Sequence, residues 1–153
     1  MRTHFAEVLA LEEASLADVT HVAGLARWRR RVVRELMDPR SPYVLALRQT
    51  GELRERADFL ARWRSLIAEM VDRLLHSKAT EQTASAAACP PARSRHADDA
   101  AQETAVLILA ALHGGSTLSQ VVRDPWPLNA ALDLALARLA PPGGGAVDDE
   151  RNE

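Results

Sequence analysis

The sequence predicts an all-α protein, a bundle of about six helices. Three observations lead there. Ala and Leu together supply about a third of the 153 residues, and both are strong helix formers. Aromatic residues make up only 4% and β-branched residues are sparse, so few windows suit a strand. Apolar residues recur at three- and four-residue spacing, and the prolines fall between the periodic segments.

Phe5, Val8, Leu9, Glu12 and Leu16 define a first amphipathic helix over 3–15. Ser15 with Asp18 three residues on is a capping pattern for the next. That second helix is expected over 16–37, with Val22, Ala26, Arg29, Val33 and Met37 on one stripe and Leu25, Trp28, Val32 and Leu36 beside it. Asp38-Pro39 ends it, because a residue before proline is pushed out of the helical region. Ser41 ahead of Pro42, with Gly51 downstream, bounds a short connecting helix over 42–49. The fourth helix, over 52–77, carries Phe59, Trp63, Leu66 and Met70 flanked by Leu60, Ile67, Val71 and Leu74, the pattern of a central packing element.

Residues 78–96 lose this periodicity and collect Thr, Ser, Ala and Cys89-Pro90-Pro91, the composition of a mobile loop. Asp98 and Asp99 then stand where a helix dipole favours acids, ahead of the apolar stretch from Thr104 to Leu112. The register Ile108, Ala111, Gly115, Leu118, Val122 runs on through Gly114-Gly115, so one helix is expected to reach Val122. Two internal glycines cost about 1 kcal/mol each relative to alanine and point to close approach of another backbone. Asp124-Pro125 closes this element, and the last helix is expected over 127–140, with only Asn129, Asp133 and Arg138 polar. The domain is thus 1–140, and the Pro/Gly-rich, acidic segment 141–153 is expected to be disordered.

The two closing helices are apolar nearly all round, whereas a helix that coats a globule keeps a polar face. Leu128, Leu132, Ala135 and Leu139 can pack inward. A second surface is left, with Ala111, Gly115, Leu118, Val122, Leu128, Ala131 and Leu134 as candidate contacts. Two such helices from each of two subunits build a four-helix interface, that of a homodimer. The alternative is a monomeric bundle with both helices at its centre, for which so short a chain offers few covering helices.

Several functions are disfavoured by composition. With 19 basic and 21 acidic residues the formal charge is −2, which advertises no polyanion partner. Arg27, Arg29, Arg30, Arg31 and Arg34 surround Trp28 but span the helix circumference, with Glu12, Glu13 and Glu35 near enough to compensate; this is a solvated face, not a groove reader. His113-Gly114-Gly115 matches an esterase oxyanion loop in letters, without the preceding strand or a Gly-x-Ser-x-Gly elbow. His4, His21, His76, His96 and His113 form no pair at ligand spacing, and Cys89 is the single cysteine. No metal, cofactor or catalytic constellation is therefore expected, and the protein is read as a non-enzyme. The absence of an intramolecular disulfide, of a secretory leader and of an apolar run near the roughly 20 residues of a bilayer span reads as cytoplasmic, without a membrane partner. Lys78 is the single lysine, as expected from a GC-rich bacterial genome.

Candidate ligand contacts are large inward residues, most with a polar tip: Trp28, Tyr43, Phe59, Trp63, Met70 and His113. Together they suggest an apolar cavity centred near Trp63. The same stripe at helical spacing also reads as ordinary core.

The run Ala105-Val106-Leu107-Ile108-Leu109-Ala110-Ala111-Leu112-His113-Gly114-Gly115, then Leu118, Arg123-Asp124 and Pro127-Leu128-Asn129-Ala130-Ala131-Leu132-Asp133, resembles the C-terminal regulatory domain of TetR-type transcriptional regulators. The likeness covers about residues 100–140, and the earlier helices agree in order and length. It implies an effector-binding, dimerising domain whose last two helices pair and whose middle helices enclose a small apolar effector. Members of that family begin with a helix-turn-helix head ending in an aromatic-rich stretch and a lysine, a pattern not present here. DNA is therefore expected to be reached only through a head outside this chain. The alternative is a headless helical module that pairs with itself or with a full-length regulator and binds no ligand.

Overall fold

In the computed structural model, residues 4–49, 51–83 and 95–139 are described. Every element among them is helical, as the composition predicts. They are α1 (His4–Ala17), α2 (Val22–Met37), α3 (Pro42–Arg48), α4 (Leu53–Thr83), α5 (Arg95–Ala110), a π turn (Ala111–Gly115), α6 (Ser116–Val122) and α7 (Trp126–Leu136), which tightens into a 3-10 turn over Ala137–Leu139. The long helix α4 packs chiefly on α5 and α1, while α7 lies across the π turn, α6 and α5.

The first boundary differs from expectation. Helix α1 does not stop at Ser15 but runs to Ala17, because the stripe Phe5, Val8, Glu12, Leu16 continues inward and buries Leu16. The carbonyl of Leu16, at the helix end, accepts the Val19 N–H of the next turn at 3.1 Å and Arg73 Nη2 from α4 at 2.5 Å, so a turn and a distant helix satisfy a group that α1 leaves open. A turn with Val19 buried follows, so α2 starts at Val22 and not at residue 16. Of its two predicted stripes, that of Leu25, Trp28, Val32 and Leu36 faces the core, while Val22 is half exposed. Helix α3 starts where the sequence places it: Ser41 Oγ accepts the backbone N–H of Tyr43 at 3.2 Å, with Pro42 at the first helical position.

The segment expected as a loop over 78–96 is helical at both ends. Helix α4 continues to Thr83 and α5 begins at Arg95. Lys78-Ala79-Thr80-Glu81-Gln82 contains good helix formers, and Thr80 ties back to the His76 carbonyl at 2.9 Å. The expected loop over 84–94 and the expected tail over 141–153 lie outside the described residues.

As the uninterrupted apolar register predicts, α5, the π turn and α6 form one continuous rod; Ala110 and Ser116 at the junctions both stay right-handed helical. The reason for one glycine is visible. A Cβ on Gly115 would stand 2.8 Å from Leu128 Cα, so α7 crosses the rod at van der Waals limit there. Gly114 differs from that expectation: nothing lies within 4 Å of its would-be Cβ. Gln102, Glu103 and His113 interrupt the apolar run but not the helix, and the rod Arg95–Val122 is long and apolar enough, by length and composition, to cross a membrane. In this fold α4 and α7 pack along it.

The rod ends at Arg123, whose φ of 58° is left-handed, and the Asp124 N–H returns to the Ser119 carbonyl at 3.1 Å. Asp124 Oδ1 then accepts Trp126 N–H at 2.8 Å, and Ser119 Oγ accepts Leu128 N–H at 2.9 Å, so two side chains cap α7. Arg29 fastens α7 to α2 by pairing with Asp133 and by donating to the Asn129 carbonyl and side chain. The inward set of α7 is Leu128, Leu132, Ala135 and Leu139, all buried, as its spacing predicts.

Candidate functional site

Three of the six predicted ligand contacts converge on one acid. Glu12 is fully buried on α1. Its Oε2 accepts the indole N–H groups of Trp28 at 3.2 Å and Trp63 at 3.0 Å, and its Oε1 accepts the Tyr43 hydroxyl at 2.7 Å and Arg31 Nη2 at 2.5 Å. Arg31 Nη1 also donates to the Tyr43 oxygen at 2.8 Å. Four donors from α2, α3 and α4 thus saturate one carboxylate, the arrangement that makes a buried charge tolerable.

Electrostatics follow from burial. The Tyr43 hydroxyl is pushed far above its ordinary range, first by desolvation and then by the negative charge of Glu12. Burial opposes the charge on Arg31, but its bonds to Tyr43 and Glu12 outweigh this and hold its pKa above the usual value. Phe59 stacks on Phe5 with ring centroids 4.5 Å apart and leans on Trp63 at 5.5 Å. Met70 is fully buried further along α4. Trp63, fully buried, thus has Phe59, Tyr43 and the Glu12 carboxylate as neighbours.

His113 stands apart from this cluster. It projects between two open clefts, its Nε2 at 3.3 Å from Arg56 Nη2. Its pKa is lowered by burial first and by Arg56 second, so near neutral pH the ring is uncharged. Because guanidinium only donates, Nε2 accepts and the proton sits on Nδ1. The larger cleft, about 670 Å³, lies between α4 and α5, with Ala57, Leu60, Ala61, Val106, Leu109 and Ala110 in its lining. The smaller, about 300 Å³, lies between α3 and α6 and is lined by Val44, Leu47, Arg48, Ser116, Thr117 and Gln120 among others. Among the described residues no three His, Cys, Asp or Glu side chains cluster as a metal ion requires. His113-Gly114-Gly115 sits within a helical rod and does not follow a strand.

The seven candidate dimer contacts divide. Ala111, Gly115 and Leu128 are buried inside the chain where α7 crosses the rod, and Ala131 is partly buried there. Leu118, Val122 and Leu134 are 60%, 57% and 80% exposed. Val121 and Trp126 join them at 77% and 71%. Arg138, in the 3-10 turn that follows α7, pairs with Glu103 on α5 at 3.2 Å.

Four functional candidates are absent from the sequence-level selection. Glu12 belongs to an inward stripe, and an acid at an inward register is the signal that marks it. Arg31 is not solvated but half-buried against Glu12, and Arg29 is held by α7, whereas Arg27, Arg30 and Arg34 are exposed as expected. Of the acids expected to compensate this group only Glu12 does so; Glu13 reaches Arg62 at 3.4 Å and Glu35 accepts from Ser41. Trp126 opens α7 just after Asp124-Pro125, and Arg56 carries no pattern of its own. Compared with known proteins, the chain matches no family model, no curated protein and no solved structure.

Proposed function

We propose that this chain is the effector-sensing and dimerisation domain of a TetR-type regulator, working as a homodimer. One observation carries the reading: Leu118, Val121, Val122, Trp126 and Leu134 on α6 and α7 are large apolar side chains left 57–80% exposed, and we read them as one pairing face. Full burial of a large apolar side chain is worth roughly 1.5–3 kcal/mol, so leaving five in water is costly for a chain without a partner. The occupant is a second copy. Arg123 and Asp124, both exposed between Val122 and Trp126, carry opposite signs, and a twofold arrangement lets the acid of one copy meet the base of the other.

The clefts at His113 are where a small molecule acts in this reading. Ala110 and Gly114 line the α4–α5 cleft and lie on the same rod as the pairing face, so a ligand there alters what the second copy meets. Such a shift requires different ligand affinity in the two subunit arrangements. Operator binding belongs to a helix-turn-helix outside this domain. A second reading, pairing without a ligand, rests on the same face alone.

Light scattering after size exclusion tests pairing. A dimer at micromolar concentration is expected, and Leu118→Glu with Leu134→Glu should return it to monomer; a monomeric parent chain overturns the proposal. Thermal melts against a library of hydrophobic compounds separate the two readings. A dimer whose melting point no compound raises is a pairing module only.

A further inference from the structure

We propose that the junction of the two clefts at Arg56 binds an aliphatic carboxylate, its head on the Arg56 guanidinium and its tail along the α4–α5 cleft. The inference deepens the effector-sensing reading above by naming the ligand's chemical class, and it rests on that reading for its biological role.

Arg56 and His113 are the only side chains that line both clefts. The charged residues in the two linings are Arg48, Arg56 and Arg64, and no acid lines either cleft. In a chain of net charge −2, that is a local excess of cation around an apolar floor. Arg56 is partly buried, yet among the described residues it has no carboxylate partner; its contacts are the Leu47 carbonyl at 3.4 Å and His113 Nε2 at 3.3 Å. A half-buried guanidinium satisfied only by neutral acceptors gains from an anion that completes it. Arg29, Arg31 and Arg138, by contrast, each hold an acid of the chain.

The neutral imidazole of His113 and the Leu47 carbonyl both accept from Arg56 Nη2, which leaves Nη1 and Nε of the guanidinium for a ligand. From that point Leu60, Val106 and Leu109 continue the cleft in apolar surface, and Gly114 keeps its mouth open, with nothing near its would-be Cβ. A volume of about 670 Å³ falls in the range of small-molecule sites. Head charge and tail apolarity are therefore both specified, which a neutral hydrocarbon or an inorganic anion matches only by half.

Isothermal titration with decanoate, 1-decanol and decyltrimethylammonium, each below its micellar concentration, tests this on the full chain. Decanoate should bind at least about tenfold tighter than decanol, the value of one charge-assisted hydrogen bond, and the ammonium should be weakest. It should also displace the His113 ring resonances. Arg56→Gln should weaken decanoate about tenfold or more while Arg56→Lys keeps part of the affinity. Gly114→Met, whose Cβ meets open space and whose longer side chain enters the cleft, should block it too. Should Arg56→Gln fail to fold, Arg64→Gln at the exposed rim provides the charge test, with a smaller loss expected. Equal binding of decanol and decanoate, or decanoate binding indifferent to Arg56 and Gly114, overturns the inference. So does the absence of decanoate binding. A dimer stabilised by neutral compounds alone would remove this ligand class and keep the sensing domain; a monomer that binds decanoate through Arg56 would do the reverse.

Discussion

Glu12 and Trp63, 51 residues apart, meet through a 3.0 Å hydrogen bond from the indole N–H to a carboxylate with no solvent exposure. The bond joins α1 to α4, and Trp28 and Tyr43 extend it to α2 and α3. Removing the charge of Glu12 strands Arg31 and turns an amide N–H toward existing donors. Glu12→Gln should therefore cost about 3–5 kcal/mol of stability. Arg31→Met should cost less, because three donors remain on the carboxylate. Urea denaturation of both variants and the double variant should give a coupling of about 1–3 kcal/mol; strict additivity would show that the pair is not a unit.

Tyr43 is the single tyrosine, so its ionisation can be followed without assignment. Burial and the Glu12 charge raise its folded pKa above the ordinary 10.0. The sign is that of an acid kept neutral by folding: its contribution is complete below pH 10, and stability falls as pH rises beyond that because only the unfolded chain ionises there. Phenolate absorbance in the native protein should stay flat through pH 10 and rise only with the loss of helical circular dichroism. The urea-unfolded chain should titrate near 10. A native phenolate step near 10 with helix intact would mean that Tyr43 is not held as described.

Much of the helical layout is legible in the sequence because its carriers are local. Ser41-Pro42 caps α3, Asp124 closes the rod, and the inward spacing of Leu128, Leu132, Ala135 and Leu139 fixes the face of α7. The misplaced boundaries have tertiary causes. Ser15 offers a local stop, but the burial of Leu16 and the Arg73 donor from a distant helix carry α1 past it. The candidate site was legible in its aromatic members and not in what joins them: nothing local says that an acid on α1 accepts hydrogen bonds from three other helices. Arg56 is hidden for a similar reason, since its lack of a carboxylate is a property of its neighbours in space.

His113 gives a pH signature on the acid side. Desolvation and Arg56 hold its folded pKa below 6.5. At pH values under 6.5 the unfolded chain takes up a proton that the folded site resists, so stability falls with acidification from there until the folded pKa is passed. His113→Gln keeps an acceptor for Arg56 and removes the titration. Between pH 7.5 and 5.5 the parent should lose more of its urea midpoint than His113→Gln does. Equal losses in both would mean that the ring takes up its proton as readily in the folded chain as in the unfolded one.

The neighbouring glycines of the π turn should respond to the same substitution with opposite signs. A methyl on Gly114 meets open space, and its backbone is helical, so Gly114→Ala should gain about 0.5–1 kcal/mol from the lower entropy of the unfolded chain. A methyl on Gly115 falls 2.8 Å from Leu128 Cα and 3.2 Å from Leu128 Cδ1. The side chain can turn away, but the backbone contact yields only if α7 moves off the rod. That movement also disturbs the Ser119 bond to Leu128 N–H. Overpacking of this kind costs about 1–3 kcal/mol, more than the helix gain returns, so Gly115→Ala should be destabilised on balance. Because α7 carries Trp126 and Leu134, the shift should also weaken self-association, which light scattering across a dilution series would detect. If Gly115→Ala is as stable as Gly114→Ala, the close crossing of α7 over the π turn is wrong.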